Sequence, residues 1–345
     1  MTELIPLVSH KLRQYWPTED WQKKESKVNF NDFLGYDADR LHNIGKTYSC
    51  LVVKSGYIVG EFYGYELPSF TKAKIVDKTT KLLSWSVAKS ILHAVVGLAI
   101  RDSIVDIDED NLFPEWDNDD RKNIRLRDLL EMRDGLDFVE DYTDERKSDV
   151  IDMLFRDGAD DVSKFAIEKE LIHEPSVHFN YSSGSSNILS RLILERLGGT
   201  EKFEKFVRSN LFNKIGMNSV ELKYDKKGVW IASSFVYATA RDYAKFGYLY
   251  LNGGNWNGEQ ILPLKWIDNS RAKLSIDQET KWNYGSLWWV KDDRFGTFWA
   301  DGFEGQLVVV SPKLDVVLVR FGKTDSNLRE NLSKWLEGIL EVLDD

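Results

Sequence analysis

The stretch from Ser86 to Ile100 constrains this chain more than any other. Apart from Ser86, Lys89, Ser90 and His93 nearly every residue in it is apolar, so a helix here must be enclosed on almost all sides. Enclosure needs a large core, which a chain of 345 residues with 42% hydrophobic and 13% aromatic content can build. That composition excludes disorder, a collagen-like repeat and a disulfide-stapled miniprotein. The four polar exceptions fall at i, i+3, i+4 and i+7, on one face, so the buried helix presents a polar stripe to something. The stripe is either a narrow solvent-facing band or a working surface.

The rest of the pattern suggests what surrounds the helix. An N-terminal helical stretch is expected first, followed by a hairpin of Ser49 to Val53 and Tyr57 to Tyr63 turning at Lys54-Ser55-Gly56. From Ser86 to Met217 the pattern is mostly helical, with clear segments at Asp128 to Met132 and Ser186 to Leu197. Period-two and β-branched runs then appear at Gly296 to Ala300, Gln306 to Val310 and Val316 to Phe321, before an amphipathic helix from about Asn327 to Leu343. Strands at both ends with helices between them predict an α/β (α+β) fold, one antiparallel sheet flanked by helices with an all-helical insert. The expected organisation is a single domain over 1–345 in two lobes, 1–85 with 218–345 carrying the sheet and 86–217 the helices. The cleft between them is the expected active site.

Charge narrows the partners. With 46 Lys and Arg against 56 Asp and Glu the net charge is -10, which repels phosphate backbones and anionic lipid heads. The first thirty residues carry no long apolar run, and the uncharged run Ala94 to Ile100 is far too short to span a bilayer. The single cysteine, Cys50, sits in Ser-Cys-Leu-Val-Val and reads as a core thiol. A cytoplasmic protein is therefore expected, with no nucleic acid or membrane partner; a homodimer is left open, since the sequence does not set the oligomeric state.

Several motifs fail on inspection. His173-Glu174-Pro175-Ser176-Val177-His178 spaces its histidines by five and breaks any helix at Pro175, so a loop is expected rather than a zinc site. Asp106, Asp108 and Asp110 have calcium-loop spacing, but Asn111 stands where the loop needs glycine and Asp117 where it needs glutamate. Gly322-Lys323-Thr324 lacks the upstream glycine of a phosphate loop, and no Gly-x-Ser-x-Gly elbow occurs. No metal or cofactor is expected.

Ser86-Val87-Ala88-Lys89 does carry chemistry. A serine and a lysine one helical turn apart can share a hydrogen bond, and a lysine that loses water loses basicity, so it can take the serine proton. The serine amide, free at a helix N-terminus, can face a developing oxyanion. Tyr181, in the polar run Phe179-Asn180-Tyr181-Ser182-Ser183, is a candidate proton relay, though an ordinary buried tyrosine would read the same way.

With its neighbours this segment resembles the serine β-lactamase and penicillin-recognising superfamily, in particular class C-like esterases, D-amino-acid peptidases and 6-aminohexanoate-dimer hydrolase. The resemblance runs from about Ser49 to Phe321 through ordered landmarks. They include Ser84-Trp85-Ser86-Val87-Ala88-Lys89-Ser90, Arg133-Asp134-Gly135-Leu136, Asn180-Tyr181-Ser182-Ser183-Gly184, Lys214-Ile215-Gly216-Met217, Ala240-Arg241-Asp242-Tyr243 and Ala300-Asp301-Gly302-Phe303. It implies a β-lactamase/transpeptidase-like fold, Ser86 as an acylated nucleophile, Lys89 as its proton acceptor or activator and Tyr181 as base or relay. Which of Lys89 and Tyr181 acts first stays open. Ser183 takes the third position of the tyrosine motif, the Phe303 amide completes an oxyanion hole with that of Ser86, and Tyr142 stands near the leaving amine.

One position departs from the family. Where penicillin-binding relatives start their third box with a lysine or histidine, this chain has Ala300 and then Asp301. An uncompensated anion there would disfavour substrates bearing a carboxylate, unless the side chain turns away to accept backbone amides. The function expected is hydrolysis of a small-molecule ester or amide through a Ser86 acyl-enzyme. The alternatives are a D-stereospecific peptidase or β-lactamase of the same fold and, from another class, a non-catalytic binding or assembly module.

Overall fold

The computed structural model describes residues 4–66, 74–142 and 147–344. Eight strands form one antiparallel sheet: β1 (Lys46–Lys54), β2 (Tyr57–Tyr63), β3 (Ser275–Ile276), β4 (Asn283–Tyr284), β5 (Trp289–Val290), β6 (Phe298–Gly302), β7 (Gln306–Ser311) and β8 (Val316–Lys323). Their order is β3-β4-β5-β6-β7-β8-β1-β2, so the first hairpin of the chain joins the last one at β1 and β8. This closure follows from composition: Thr47 to Val53 and Val316 to Gly322 are buried without interruption, as strands covered on both faces must be.

Helices supply the covers. On one face lie α2 (Val87–Arg101) and α5 (Ala240–Leu251), which pack on β6, β7 and β8. The sheet's other face meets α6 (Arg329–Val342), which buries Leu332, Trp335, Leu336, Ile339 and Leu340. Short α1 (Tyr36–His42) packs beside α6 and on β1. The segment 87–217 contains, among the described residues, helices and turns including α3 (Leu126–Leu130) and α4 (Ser183–Leu197), and no strand of the main sheet. No helix of the described residues is long and apolar enough to cross a membrane.

The fully apolar reading of α2 holds, since every residue from Val87 to Ala99 is buried. Its polar stripe is not a solvent-facing band. Ser90 donates to the Leu287 carbonyl at 2.7 Å, and His93 shares a 2.7 Å hydrogen bond with Tyr250 while its ring stacks on Trp266. Burial pushes His93 down to about 3, so both groups are neutral struts. Cys50 is buried, and its thiol is pushed up to about 12 by burial.

Three expectations need correction. The N-terminal helical stretch is confined to α1, and before Tyr36 the described residues form only short 3-10 turns; apolar residues there lie across other elements, with the Trp21 indole bonding the Arg241 carbonyl at 3.0 Å. The strand expected at Gly296 to Ala300 runs from Phe298 to Gly302, because Gly296 has a positive φ and Thr297 caps a turn on Asp293. The helix expected from Ser186 begins at Ser183, capped by the Ser182 side chain.

Gly302 ends β6 where it meets the segment before α2. A Cβ at this position would lie 2.5 Å from the Ser84 carbonyl oxygen, backbone against backbone, with no side chain to yield. Gly302→Ala is expected to lower stability by about 1–3 kcal/mol and to cut activity with it. Urea unfolding measures the first, and an unchanged midpoint would show that strand and helix are not held at this spacing.

Candidate active site

Ser86 sits at the N-cap of α2 with φ -66° and ψ -4°. The residue before it, Trp85, has φ 45°, a left-handed conformation that a bulky side chain adopts only when its surroundings enforce it. Ser84 provides the restraint: its amide donates to the Val236 carbonyl at 2.9 Å, and its hydroxyl accepts from the Val236 amide and donates to the Ser234 carbonyl, both at 3.0 Å. The Trp85 ring packs edge-on against Phe303 and Phe155.

Lys89 lies one turn behind Ser86 and is 1% exposed. Its ammonium donates to Ser86 Oγ at 3.0 Å, Ser183 Oγ at 3.0 Å and the Ser233 carbonyl at 3.1 Å, which uses all three donors. Burial lowers its pKa to about 8, against the opposing pull of Glu140. Tyr181 stands on the other side of Nζ, which is 4.9 Å from its ring centroid. Burial raises Tyr181 well above the ordinary phenol value, the Glu140 charge adds to this, and a hydrogen bond with Ser86 opposes it. The Tyr181 loop is fixed by the Asn180 amide, which donates to the Met132 carbonyl at 2.8 Å, and by the Asn180 side chain on the Phe138 carbonyl at 3.0 Å.

Glu140 is the residue the sequence did not single out. One oxygen accepts from the Ser183 amide at 2.8 Å, the other from Ser183 Oγ at 2.7 Å and the Tyr142 hydroxyl at 2.9 Å, and Lys89 Nζ stands 4.0 Å away. Ser183 thus accepts from Lys89 and donates to Glu140, coupling cation and anion through one hydroxyl. In sequence Glu140 is one acid among several in Glu140-Asp141-Tyr142-Thr143-Asp144, of which Thr143 and Asp144 lie outside the described residues. Only its place two residues before Tyr142 set it apart.

Ser86, Tyr142, Tyr181, Asp301 and Phe303 line one cavity of about 550 Å³, while Lys89 and Ser183 lie buried. Tyr142 stacks on the Phe303 ring at 4.7 Å. Neither the Ser86 nor the Phe303 amide donates to a backbone carbonyl among the described residues, so both are free to serve a ligand. The ladder between β5 and β6 ends at the Trp289–Trp299 pair. Strand β6 is interior at its start and an open edge from Ala300 to Gly302, beside the cavity.

Asp301 follows neither course expected of it. It lines the cavity, but one terminal nitrogen of Arg329 donates to both its oxygens, at 2.7 and 2.6 Å. Asp301 outweighs burial to hold the Arg329 pKa above its ordinary value. The anion is compensated, so exclusion of carboxylate-bearing substrates does not follow from it.

These features agree with what the chain is similar to. The sequence profile of the Beta-lactamase family matches residues 47–340. The chain belongs to that family. Among its relatives, the 6-aminohexanoate-dimer hydrolase of Paenarthrobacter ureafaciens is 23% identical over 288 residues, covering 78% of this chain and 71% of that protein. A Bacillus anthracis structure assigned provisionally as a 6-aminohexanoate-dimer hydrolase is 20% identical with a TM-score of 0.77, covering 98% of this chain and 90% of its own. A penicillin-binding protein from Bacillus halodurans is 15% identical with a TM-score of 0.66, covering 87% of this chain and 98% of its own. As a member of the beta-lactamase family with a hydrolase relative, this chain is a hydrolase with the β-lactamase/transpeptidase-like fold.

The Asp301–Arg329 pair has a measurable consequence. Asp301→Asn leaves a net positive wall and should favour an anionic substrate over a neutral one of the same shape, whereas Arg329→Gln should do the reverse. Unit charges ~6 Å apart at an effective dielectric of ~20 interact by roughly 3 kcal/mol, and solvent screening reduces the expected change in the rate ratio to about three- to tenfold. Ratios moving the same way in both variants would mean the pair does not face the substrate.

Proposed function

We propose that this hydrolase cleaves small carboxylic esters or amides through a covalent acyl-enzyme on Ser86. The 3.0 Å contact between Ser86 Oγ and the buried Lys89 amine carries the reading. Lys89, lowered to about 8, exists in part as a free amine near neutral pH, while Tyr181 is displaced towards its neutral form. This favours Lys89 over a Tyr181 phenolate as the first base.

Ser86 Oγ attacks the carbonyl carbon as its proton passes to Lys89 Nζ. The oxyanion so formed takes hydrogen bonds from the Ser86 and Phe303 amides. The protonated Lys89 is stabilised by Glu140, directly and through Ser183. Collapse of the intermediate breaks the bond to the alcohol or amine, which takes a proton relayed by the Tyr181 hydroxyl with Lys89 as its source. Water then attacks the acyl-enzyme by the same route and releases the acid. No cofactor takes part in these steps, and Tyr142 beside Phe303 is placed to meet the leaving group.

A second reading is favoured by Arg329. Because it neutralises Asp301, a D-stereospecific peptidase or β-lactamase activity keeps its standing, and turnover of D-amino-acid amides or a chromogenic cephalosporin separates it from simple ester cleavage.

Labelling with a fluorophosphonate probe tests the proposal. Wild-type protein is expected to react and Ser86→Ala to remain unlabelled and inactive on p-nitrophenyl esters and anilides, with a thermal midpoint close to wild type. An unreactive wild type would favour a non-catalytic binding module, and labelling of Ser86→Ala would place the nucleophile elsewhere. Tyr181→Phe should lower the rate by roughly 10² to 10⁴, and Lys89→Ala at least as much.

The pH profile follows from the sign of the lysine shift. The base acts as the free amine, so kcat/KM should rise with pH up to a limb near 8, the lowered value of Lys89, and level off above it. Glu140 holds that value up, so Glu140→Gln should move the limb to lower pH. A limb that stays in place, or moves upward, would detach Glu140 from the lysine.

A further inference from the structure

Beyond the catalytic cavity lies a second one of about 250 Å³ between the sheet and α6. Its sheet wall is set by the pleat: Trp299 and Asp301 point to the same side of β6, and Leu307 stands directly opposite Asp301 on β7. The helix wall is the i, i+3, i+7 stripe Arg329, Leu332 and Leu336. Half-buried Trp282 closes the side, its ring edge-on to Trp299 at 5.3 Å. Asp301 and Arg329 line this cavity and also the one that holds Ser86, so the ion pair stands between the two.

The space is a half-open recess beside the sheet, and a larger side chain at Leu307, Leu332 or Leu336 would fill it. A cavity of ~150 Å³ with apolar walls already accepts a benzene ring, so 250 Å³ holds a ring or a chain of several carbons. The lining combines the aromatic faces of Trp282 and Trp299 and the aliphatic carbon of Val290, Leu307, Leu332 and Leu336 with charged and polar side chains, Lys291 and Glu337 among them.

We propose that this cavity binds an apolar tail on the acyl group of the substrate, so that the preferred esters or amides are those of medium-chain or aryl-alkyl acids. The inference rests on the acyl-enzyme reading above. Its occupant is the acyl side, because that part stays bonded to Ser86 through both steps and its binding energy can act on both transition states, whereas the alcohol or amine leaves after the first. The paired charges of Asp301 and Arg329 lie where the tail passes, and being mutually neutralised they cost a passing methylene chain less than a lone ion would.

A series of p-nitrophenyl acetate, butyrate, hexanoate and octanoate reads the tail directly. The expected kcat/KM rises by about fourfold per added methylene, the value of one buried CH₂, until the cavity is full. Leu332→Phe, which fills it, and Trp282→Ala, which opens its side, should each leave acetate hydrolysis near wild type and flatten the rise towards hexanoate. An unchanged hexanoate-to-acetate ratio in both variants, with circular dichroism showing them folded, overturns the proposal. So does a length preference that follows the alcohol instead of the acid in alkyl acetates. Calorimetric titration with hexanamide gives a readout independent of turnover: saturable binding to Ser86→Ala protein is expected, weakened at least fivefold by adding Leu332→Phe. If no ester is cleaved, the acyl-enzyme reading fails alone, and the hexanamide titration still decides the cavity, since absent or unaltered binding rejects it.

Discussion

The burial of Lys89 is the constraint on which the rest of the site depends. An ammonium removed from water costs several kcal/mol unless its donors are met, and here they are met by one neighbour and two distant segments: Ser86 at the start of its own helix, Ser183 at the start of α4 and the Ser233 carbonyl. Each partner is held in turn. Asn187 bonds the Ser233 amide at 3.1 Å, and Glu140 takes both the amide and the hydroxyl of Ser183. The lysine is therefore a joint between segments as well as a titrating group. Its lowered basicity is the residue of a desolvation cost that these contacts offset only in part.

The sheet holds the other half of the site by a different device. Strand β6 is gripped by β7 along its length but by β5 only at Phe298 and Trp299, which frees the Ala300 to Gly302 edge next to Ser86. The grip continues underneath, where buried Arg320 donates to the Glu304 and Gly305 carbonyls at 3.3 and 2.8 Å and to those of Ile44 and Lys46 at 3.3 and 3.2 Å. The turn carrying Phe303 is thereby tied to the first strand of the chain. The proposed oxyanion hole needs its donors fixed before charge develops, and this arrangement fixes the Phe303 turn through side-chain bonds from Arg320 to backbone carbonyls that do not depend on a ligand.

What the sequence disclosed and what it hid divide along physical lines. Helix α2, the hairpin β1–β2, the strands β7 and β8 and the amphipathic α6 were legible because burial writes a period into the residues. Ser86 and Lys89 were legible because their spacing is local to one turn. The N-terminal segment misled because its apolar residues bury themselves against other elements without a helix of their own. Glu140 and Arg329 were hidden for a common reason: each acts on a partner distant in sequence, Ser183 and Asp301 respectively, and neither spacing nor period records such a pairing. Asp301 was visible, but without Arg329 its charge carried the wrong meaning.

That pairing changes how the cleft meets charge. Lysine or histidine at the start of the third box would present a free cation to a substrate, whereas here Asp301 and Arg329 satisfy each other at 2.6 and 2.7 Å before any substrate arrives. Deeper in, Glu140 and Lys89 stand 4.0 Å apart with Ser183 between them. The charges of both ionic features are thus matched within the site, although the second terminal nitrogen of Arg329 has no hydrogen-bond partner among the described residues. Dipolar fields fall off faster than those of single charges, so discrimination by substrate charge should be weak away from the pair itself. On the proposed reading, selectivity comes from shape and from the aromatic walls, Tyr142, Tyr181 and Phe303 on one side and Trp282, Trp289 and Trp299 on the other. A cleft of the proposed kind sorts substrates by the apolar surface they bring, because burial of that surface needs no unpaired charge from the site.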